Sequence, residues 1–417
     1  MLCSPLAGFL AALAYATFPL DVVHSTTLSN DILLSMFVWG GGALMLFAFA
    51  DHMRKQYLFL SILSGFIVGA AVAVKLNAAI APVLFLGALS IALRGKYIQG
   101  KYKILIAWAV GWSCANIFLC LFFYMVSGDF LAHYHAEMRF NIEFNPSNYS
   151  PSAGNLINYL LLYPRWIFGL AREGPYGYSS LPYGYFFIAF LLCVPFAFFR
   201  RFKSIRLPLW CALFYLLVME FTPLKLFPHY VPIHRLSRFL HIASMPAAVV
   251  IGIVFAKCIL VKSKIIKNVF VVIFIVLLGS SMYWSWIKAY FYQDCARDQR
   301  WAWKQIKNTT AEKIVTDEEM GYYFLFRSGS MPNMRILFFD KAPKILPADS
   351  LIIAGGARRP DMYPFYAADW EKGLDQKNIL LISEAPFPLK PWRTSKLKIY
   401  RSRQDIKNQK PDGSNIY

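Results

Sequence analysis

The chain is built around long apolar runs that no charge interrupts. Residues 32–50, 104–126 and 269–287 hold no Asp, Glu, Lys or Arg. Runs of about 17–25 apolar residues are the length a helix needs to cross a bilayer. Nine can be drawn, at 2–19, 32–50, 57–74, 78–93, 104–126, 183–199, 208–224, 240–260 and 269–287. Only Lys75-Leu76-Asn77 separates the third from the fourth, which reads as a tight hairpin, with one bent helix as the alternative. A soluble domain is about 25% charged, whereas this chain of 417 residues is 16% charged and 57% hydrophobic. Those figures exclude a disordered, collagenous or disulfide-scaffold protein. They predict an all-α polytopic membrane helix bundle.

A net charge of +20 would suggest nucleic acid in a soluble protein, but no nucleic-acid module is present. Instead the cations gather between apolar runs: Arg54 and Lys55; Arg94, Lys96, Lys101 and Lys103; Arg200, Arg201, Lys203 and Arg206; and Lys257, Lys262, Lys264 and Lys267. With nine spans all four groups fall on one side, which the positive-inside rule makes cytoplasmic. The other side receives the 21–31 loop with Asp21 and Asp31, the Lys75 turn, 127–182, 225–239 and everything after 288. No Lys or Arg precedes Arg54, so the first residues lack the basic start of a signal peptide. We therefore expect the natural chain to begin upstream.

From residue 288 charge, Pro and Gly become dense. Short strand-like runs appear at Lys313–Thr316, Ile336–Phe339, Leu351–Ala354 and Ile379–Ile382, with an amphipathic helix over Cys295–Lys307. We expect a transmembrane bundle over 1–287, a small C-terminal α/β domain outside the membrane over 288–401, and a flexible tail over 402–417. The segment 127–182 is too long for a plain loop. Phe130–Phe140 reads as an interfacial helix. Leu156–Leu170, broken by Pro164 and charged at Arg165, reads as lying in the interface.

Few residues are equipped for chemistry. Asp31 opens an apolar run, where it either caps a helix N-terminus or presents a carboxylate at the outer surface. Lys75 is the only charge between Lys55 and Arg94, and it either snorkels to headgroups or neutralises a lipid phosphate. Arg235 and Arg238 share a helix face, either as interface anchors or as a guanidinium pair suited to phosphate. His133 and His135 lie two apart, which puts them on different helix faces and favours a surface helix over a metal site. Of seven cysteines, six lie in or beside apolar runs and only Cys295 is in a polar segment. They read as small hydrophobes. Asn148-Tyr-Ser150 and Asn308-Thr-Thr310 match the glycosylation sequon, which matters only in a eukaryotic secretory membrane.

Ala11–Asp31, Ile32–Ala50 and Ser64-Gly65-Phe66-Ile67-Val68-Gly69-Ala70 running into Val74-Lys75-Leu76 together resemble the middle of the GT-C membrane glycosyltransferases. That family includes protein O-mannosyltransferases and the lipid A aminoarabinose transferase. Arg235 or Arg238 before Met245-Pro246 extends the likeness to about residue 290. The family's first outer loop, between its first two spans, bears its essential acid. The resemblance places that part upstream of residue 1, and two further spans keep the parity. It implies a polyprenyl-phosphate sugar as donor and a hydroxyl of a lipid, glycan or protein as acceptor. Lys75, Arg235 and Arg238 would take the donor phosphate. Asp31 would be the catalytic-site carboxylate that orients the acceptor or a divalent cation, and the upstream acid would be the base. No Gly-rich phosphate loop is present, as expected for a lipid-linked donor. The bacterial branch also implies a cytoplasmic (inner) membrane location. The competing readings are a secondary transporter, with Glu220 as its nearest buried acid, and a non-catalytic membrane accessory protein or remnant.

Overall fold

The computed structural model describes residues 4–19, 22, 30–49, 56–74, 89, 101–136, 164, 167, 172–173, 178–179, 181–221, 223–225, 231–232, 240–307, 309, 313–328, 335–338, 345–346, 348–356, 378–389, 396–403 and 406–407. They form two compact units, Met1–Ala171 with Ser180–Trp286, and Arg172–Ser179 with Ile287–Tyr417.

The first unit is helical: α1 (Pro5–Ala16), α2 (Asn30–Ala48), α3 (Tyr57–Val74), α4 (Lys101–Ser127), α5 (Leu181–Cys193), α6 (Arg206–Phe221), α7 (His241–Ile259) and the start of α8 (Lys264–Ile306). Two 3₁₀ segments, Val194–Phe198 and Arg200–Ile205, join α5 to α6. Five helical stretches are long and apolar enough to cross a membrane: Tyr57–Val74, Tyr102–Ser127, Arg200–Phe221, His241–Ile259 and Lys264–Ile287. Pro5–Ala16, Ile32–Ala48 and Tyr185–Phe198 are shorter apolar helices. The expected span 78–93 lies outside the described residues except Leu89, which is helical and buried. Of the expected interfacial pieces, residues 132–136 are helical, as are 164 and 167. Phe130 and Leu131 form the turn before 132–136, and the rest lies outside the described residues.

Small residues let the helices approach closely, as membrane packing favours. A Cβ on Gly65 would lie 2.0 Å from the Trp108 carbonyl oxygen, and one on Gly111 2.0 Å from that of Ile62. Gly252 of α7 packs against Ala7 and Ala11 of α1 in the same way. Buried Ser64 ties three helices together, since its hydroxyl donates to the Gly41 carbonyl at 2.6 Å and accepts from Trp108 Nε1 at 3.1 Å. Ser64→Ala strands both partners away from water, a loss of about 1–3 kcal/mol. The check is a lower unfolding midpoint in detergent, with Ser61→Ala, whose hydroxyl faces only the Met45 sulfur at 3.9 Å, losing less. Helix α7 is buried almost all round, the pattern of a helix at the centre of a bundle. Phe18 after α1 stacks on Phe186 of α5, 4.2 Å between centroids.

These contacts fix helix directions. Met45 meets Ser61 and Gly41 meets Ser64, so α2 and α3 are antiparallel. Gly65 meets Trp108 and Gly69 meets Ala115, so α3 and α4 are parallel. Lys257, near the end of α7, bonds to Ser204 just before α6, so these two are antiparallel. Met45 and Ala48 share a cluster with Ile104, Leu207 and Cys211. The end of α2 and the starts of α3, α4 and α6 therefore lie at one end of the bundle, with the end of α7. All four basic sequence segments adjoin those helix ends.

Helix α8 differs from expectation. One unbroken helix of 43 residues replaces a span ending at 287 and a separate helix over Cys295–Lys307. No Gly or Pro stands between Trp286 and Cys295 to end it. In the second unit, α9 (Glu318–Ser328) accompanies a five-stranded mixed sheet in the order β6 (Arg335–Phe338), β5 (Lys313–Thr316), β8 (Leu351–Ala354), β10 (Lys398–Ser402), β9 (Ile379–Glu384). β5 is parallel to β6 and β8, and β10 is antiparallel to β8 and β9. β1 (Arg172–Glu173) with β2 (Tyr178–Ser179), and in the first unit β3 (Pro223–Lys225) with β4 (Val231–Pro232), form short antiparallel pairs. One face of the large sheet packs Ile314, Leu351, Ile353 and Ile399 with Ala302, Ile306, Met320 and Phe324 from the helices. Val315, Ile352, Ala354 and Tyr400 form the core of the other face. β8 is buried at every position, as a strand covered on both faces must be.

Four residues of the expected tail are described. Ser402 ends β10, and β11 (Ile406–Lys407) pairs antiparallel with β7 (Ile345–Leu346). Residues 408–417 lie outside the described residues.

Two exposed ion pairs close this sheet. Asp349, at φ 64 in the turn before β8, accepts from Arg401. Glu384 pairs with Lys396 at 2.8 Å. Those hydrogen bonds hold both carboxyls below their ordinary pKa. A lowered carboxylate pKa adds stability above the unfolded value and loses it as pH falls through the folded one. The Asp349→Asn/Glu384→Gln double variant is therefore expected to show a flatter stability profile below about pH 4. A pH series of thermal unfolding checks it.

Candidate functional site

The end of the bundle opposite the four basic segments carries Asp31. Asp31 occupies the first turn of α2, the place where a carboxylate is favoured by the helix dipole. Because α2 and α3 are antiparallel about the Gly41–Ser64 contact, stepping from Gly41 back to Asp31 matches stepping from Ser64 on to Val74. The Asp31 turn is thus level with the end of α3, and Lys75 is the next residue in sequence. Lys75, Arg235 and Arg238 lie outside the described residues. The described positions next to them are Val74, Pro232 and Leu240.

Two more ionisable groups lie deeper in this half of the bundle. Glu220, one residue from the end of α6, is 3% exposed, and His241, the first residue of α7, is 1% exposed. Antiparallel α6 and α7 put them at the same end. Trp39 Nε1 of α2 donates to the Ile242 carbonyl at 2.8 Å, which fixes the start of α7 against the middle of α2. Trp39 lies nine residues from Asn30, so His241 sits about 13 Å deeper than the Asp31 turn. Buried Ser35, one turn above Trp39, has no hydrogen-bond partner among the described residues. Ionisable groups at such depth are costly and mark function by default.

Sequence reasoning missed His241. The signal was a titratable residue in the first turn of an apolar span, directly after the 229–238 segment. It noticed Glu220 only as a transporter's acid.

The His133/His135 pair resolves as their spacing implies. His135 Nδ1 lies 2.7 Å from Asp129 Oδ2, whereas His133 stacks on Phe123 at 5.6 Å between centroids. The two rings face different partners, and the Asp129–His135 pair lies just past the end of α4. Since α4 is parallel to α3, this is the acid-bearing end. Among the described residues no three His, Cys, Asp or Glu side chains gather in a group that could hold a metal ion.

No protein-family model, curated protein or solved structure matches this chain.

Proposed function

We propose that this chain is a membrane glycosyltransferase bundle of the GT-C type, moving a sugar from a polyprenyl-phosphate donor to a hydroxyl acceptor. The observation that carries the reading is where the described ionisable groups fall. The four basic segments adjoin one end of the bundle, and Asp31, Glu220, His241 and the Asp129–His135 pair belong to the other. Under this reading the chain has nine spans in a bacterial cytoplasmic membrane. The basic end faces the cytoplasm, and the α/β domain and the acid-bearing end lie outside.

The acceptor hydroxyl oxygen attacks the anomeric carbon with inversion as the bond from that carbon to the phosphate oxygen breaks. The leaving phosphate keeps the electron pair, and Lys75, Arg235 and Arg238 offset its charge. A carboxylate at this rim takes the hydroxyl proton, and Asp31 orients the acceptor. The burial of Glu220 and His241 favours a second reading, a proton- or cation-coupled transporter.

One experiment separates the two. The full chain in liposomes is given a polyprenyl-phosphate carrying labelled sugar. Label passing to a hydroxyl acceptor with release of polyprenyl phosphate supports the enzyme. Proton-gradient-driven uptake of solute without release supports the transporter.

A further inference from the structure

The basic end of the bundle is a constructed surface. Lys257 Nζ donates to Ser204 Oγ at 3.0 Å and to the Arg201 carbonyl, and Arg201 Nη2 donates to the Lys257 carbonyl at 3.1 Å. Arg206 Nε donates to the Ala197 carbonyl at 3.1 Å. Lys257 also lies over the buried Phe202 ring, 5.4 Å from its centroid. The 3₁₀ segment Arg200–Ile205 is thereby clamped to the end of α7, and it holds Arg200, Arg201 and Lys203 outward. Lys262, Lys264 and Lys267 are likewise exposed. Between Glu173 and Asp294 the sequence has one acid, Glu220, and that lies at the far end of α6. Neither the 3₁₀ segments nor α7 nor the first turns of α8 offer these cations a carboxylate. Beside them Phe198 is 84% exposed and Phe199 61% exposed, apolar rings placed next to charge as at a membrane interface.

We infer that the surface formed by Phe198–Lys203 and Lys257–Lys267 binds anionic phospholipid headgroups of the adjoining leaflet. The lipid phosphates supply the counter-charge that the described residues around these cations do not offer, and the phenyl rings enter the acyl boundary. Guanidinium groups take phosphate oxygens in pairs, and the clamp fixes their spacing before lipid arrives. This surface is separate from the acid-bearing end and does not depend on sugar transfer.

The test uses the full chain in neutral detergent, with phosphatidylglycerol binding followed by native mass spectrometry. Each cation near an anionic surface contributes about fivefold in affinity, so Arg200→Gln/Lys203→Gln/Lys264→Gln is expected to bind about 100-fold more weakly. Lys304→Gln/Lys307→Gln/Arg327→Gln removes as much charge from exposed positions of the second unit and is expected to keep parental affinity. Lys264→Gln alone, which disturbs no clamp bond, is expected to lose about fivefold and guards against misfolding of the triple variant. Phosphatidylcholine is expected to bind weakly, and equimolar inorganic phosphate to leave phosphatidylglycerol bound. Equal affinity in the triple variant and the parent overturns the inference. So does equal loss in the comparison variant, equal binding of phosphatidylcholine, or full displacement by inorganic phosphate, which would mark a free-anion site.

Discussion

Asp31→Asn is expected to slow the proposed sugar transfer by about 10²-fold while leaving the bundle folded, the scale on which a lost positioning contact acts. The substitution keeps size and hydrogen-bonding capacity and removes only the charge. Asn is also a good helix N-terminal residue, so the start of α2 survives. That separates the two readings of Asp31, because a residue that only caps would tolerate Asn at full activity. Glu220→Gln is the informative companion. Loss of transfer in both variants would assign catalysis to the whole acid-bearing end. Normal turnover in Asp31→Asn would remove that residue from the mechanism. The assay is release of polyprenyl phosphate from a labelled donor, with far-UV dichroism as the check on folding.

Gly65→Val is expected to be the most damaging single change in the first unit. A Cβ there meets the Trp108 carbonyl oxygen at 2.0 Å and the Trp112 nitrogen at 2.9 Å. Both are backbone atoms, so no rotamer change relieves the clash and α3 must separate from α4. Overpacking in a well-filled core costs about 1–3 kcal/mol, and separating two helix backbones takes the loss to or past the upper figure. Ser64 on the same turn would then lose its hold on Trp108. Gly8→Val is the control, because nothing lies within 4 Å of a Cβ there. The measurement is the fraction of monodisperse protein after heating in detergent. Parental behaviour of Gly65→Val would refute the close approach.

Much of this architecture was legible in residues alone, for definite reasons. Apolar runs free of charge locate helices because a buried charge is costly, and eight of the nine expected runs overlap described helix, with five helical stretches long and apolar enough to cross a membrane. β5 and β8 were read at their observed bounds, because short β-branched runs between polar segments have few other uses. β10 was missed because Lys398-Ile399-Tyr400-Arg401 alternates charge and apolar residues over too short a stretch to stand out. α9 was missed although Asp317 marks its start, with Oδ1 accepting from Met320 N at 2.9 Å. Gly321 and a run of aromatics obscured the helical period there. At the candidate site, Asp31 was found because it is a lone acid beside an apolar run. His241 was not, because one imidazole among apolar neighbours looks no different from a satisfied core residue until helix directions are known.

The Ser64 hydroxyl has a mechanical consequence. It fastens α2, α3 and α4 into a single plate, whereas among the described residues the hydrogen bond between α2 and α7 is that from Trp39 to the Ile242 carbonyl. Any breathing that admits the isoprenoid chain of the proposed donor to the acid-bearing rim is therefore expected to run along the α2/α7 seam. Spin labels across that seam would widen on donor binding, and a pair within the plate would hold its distance.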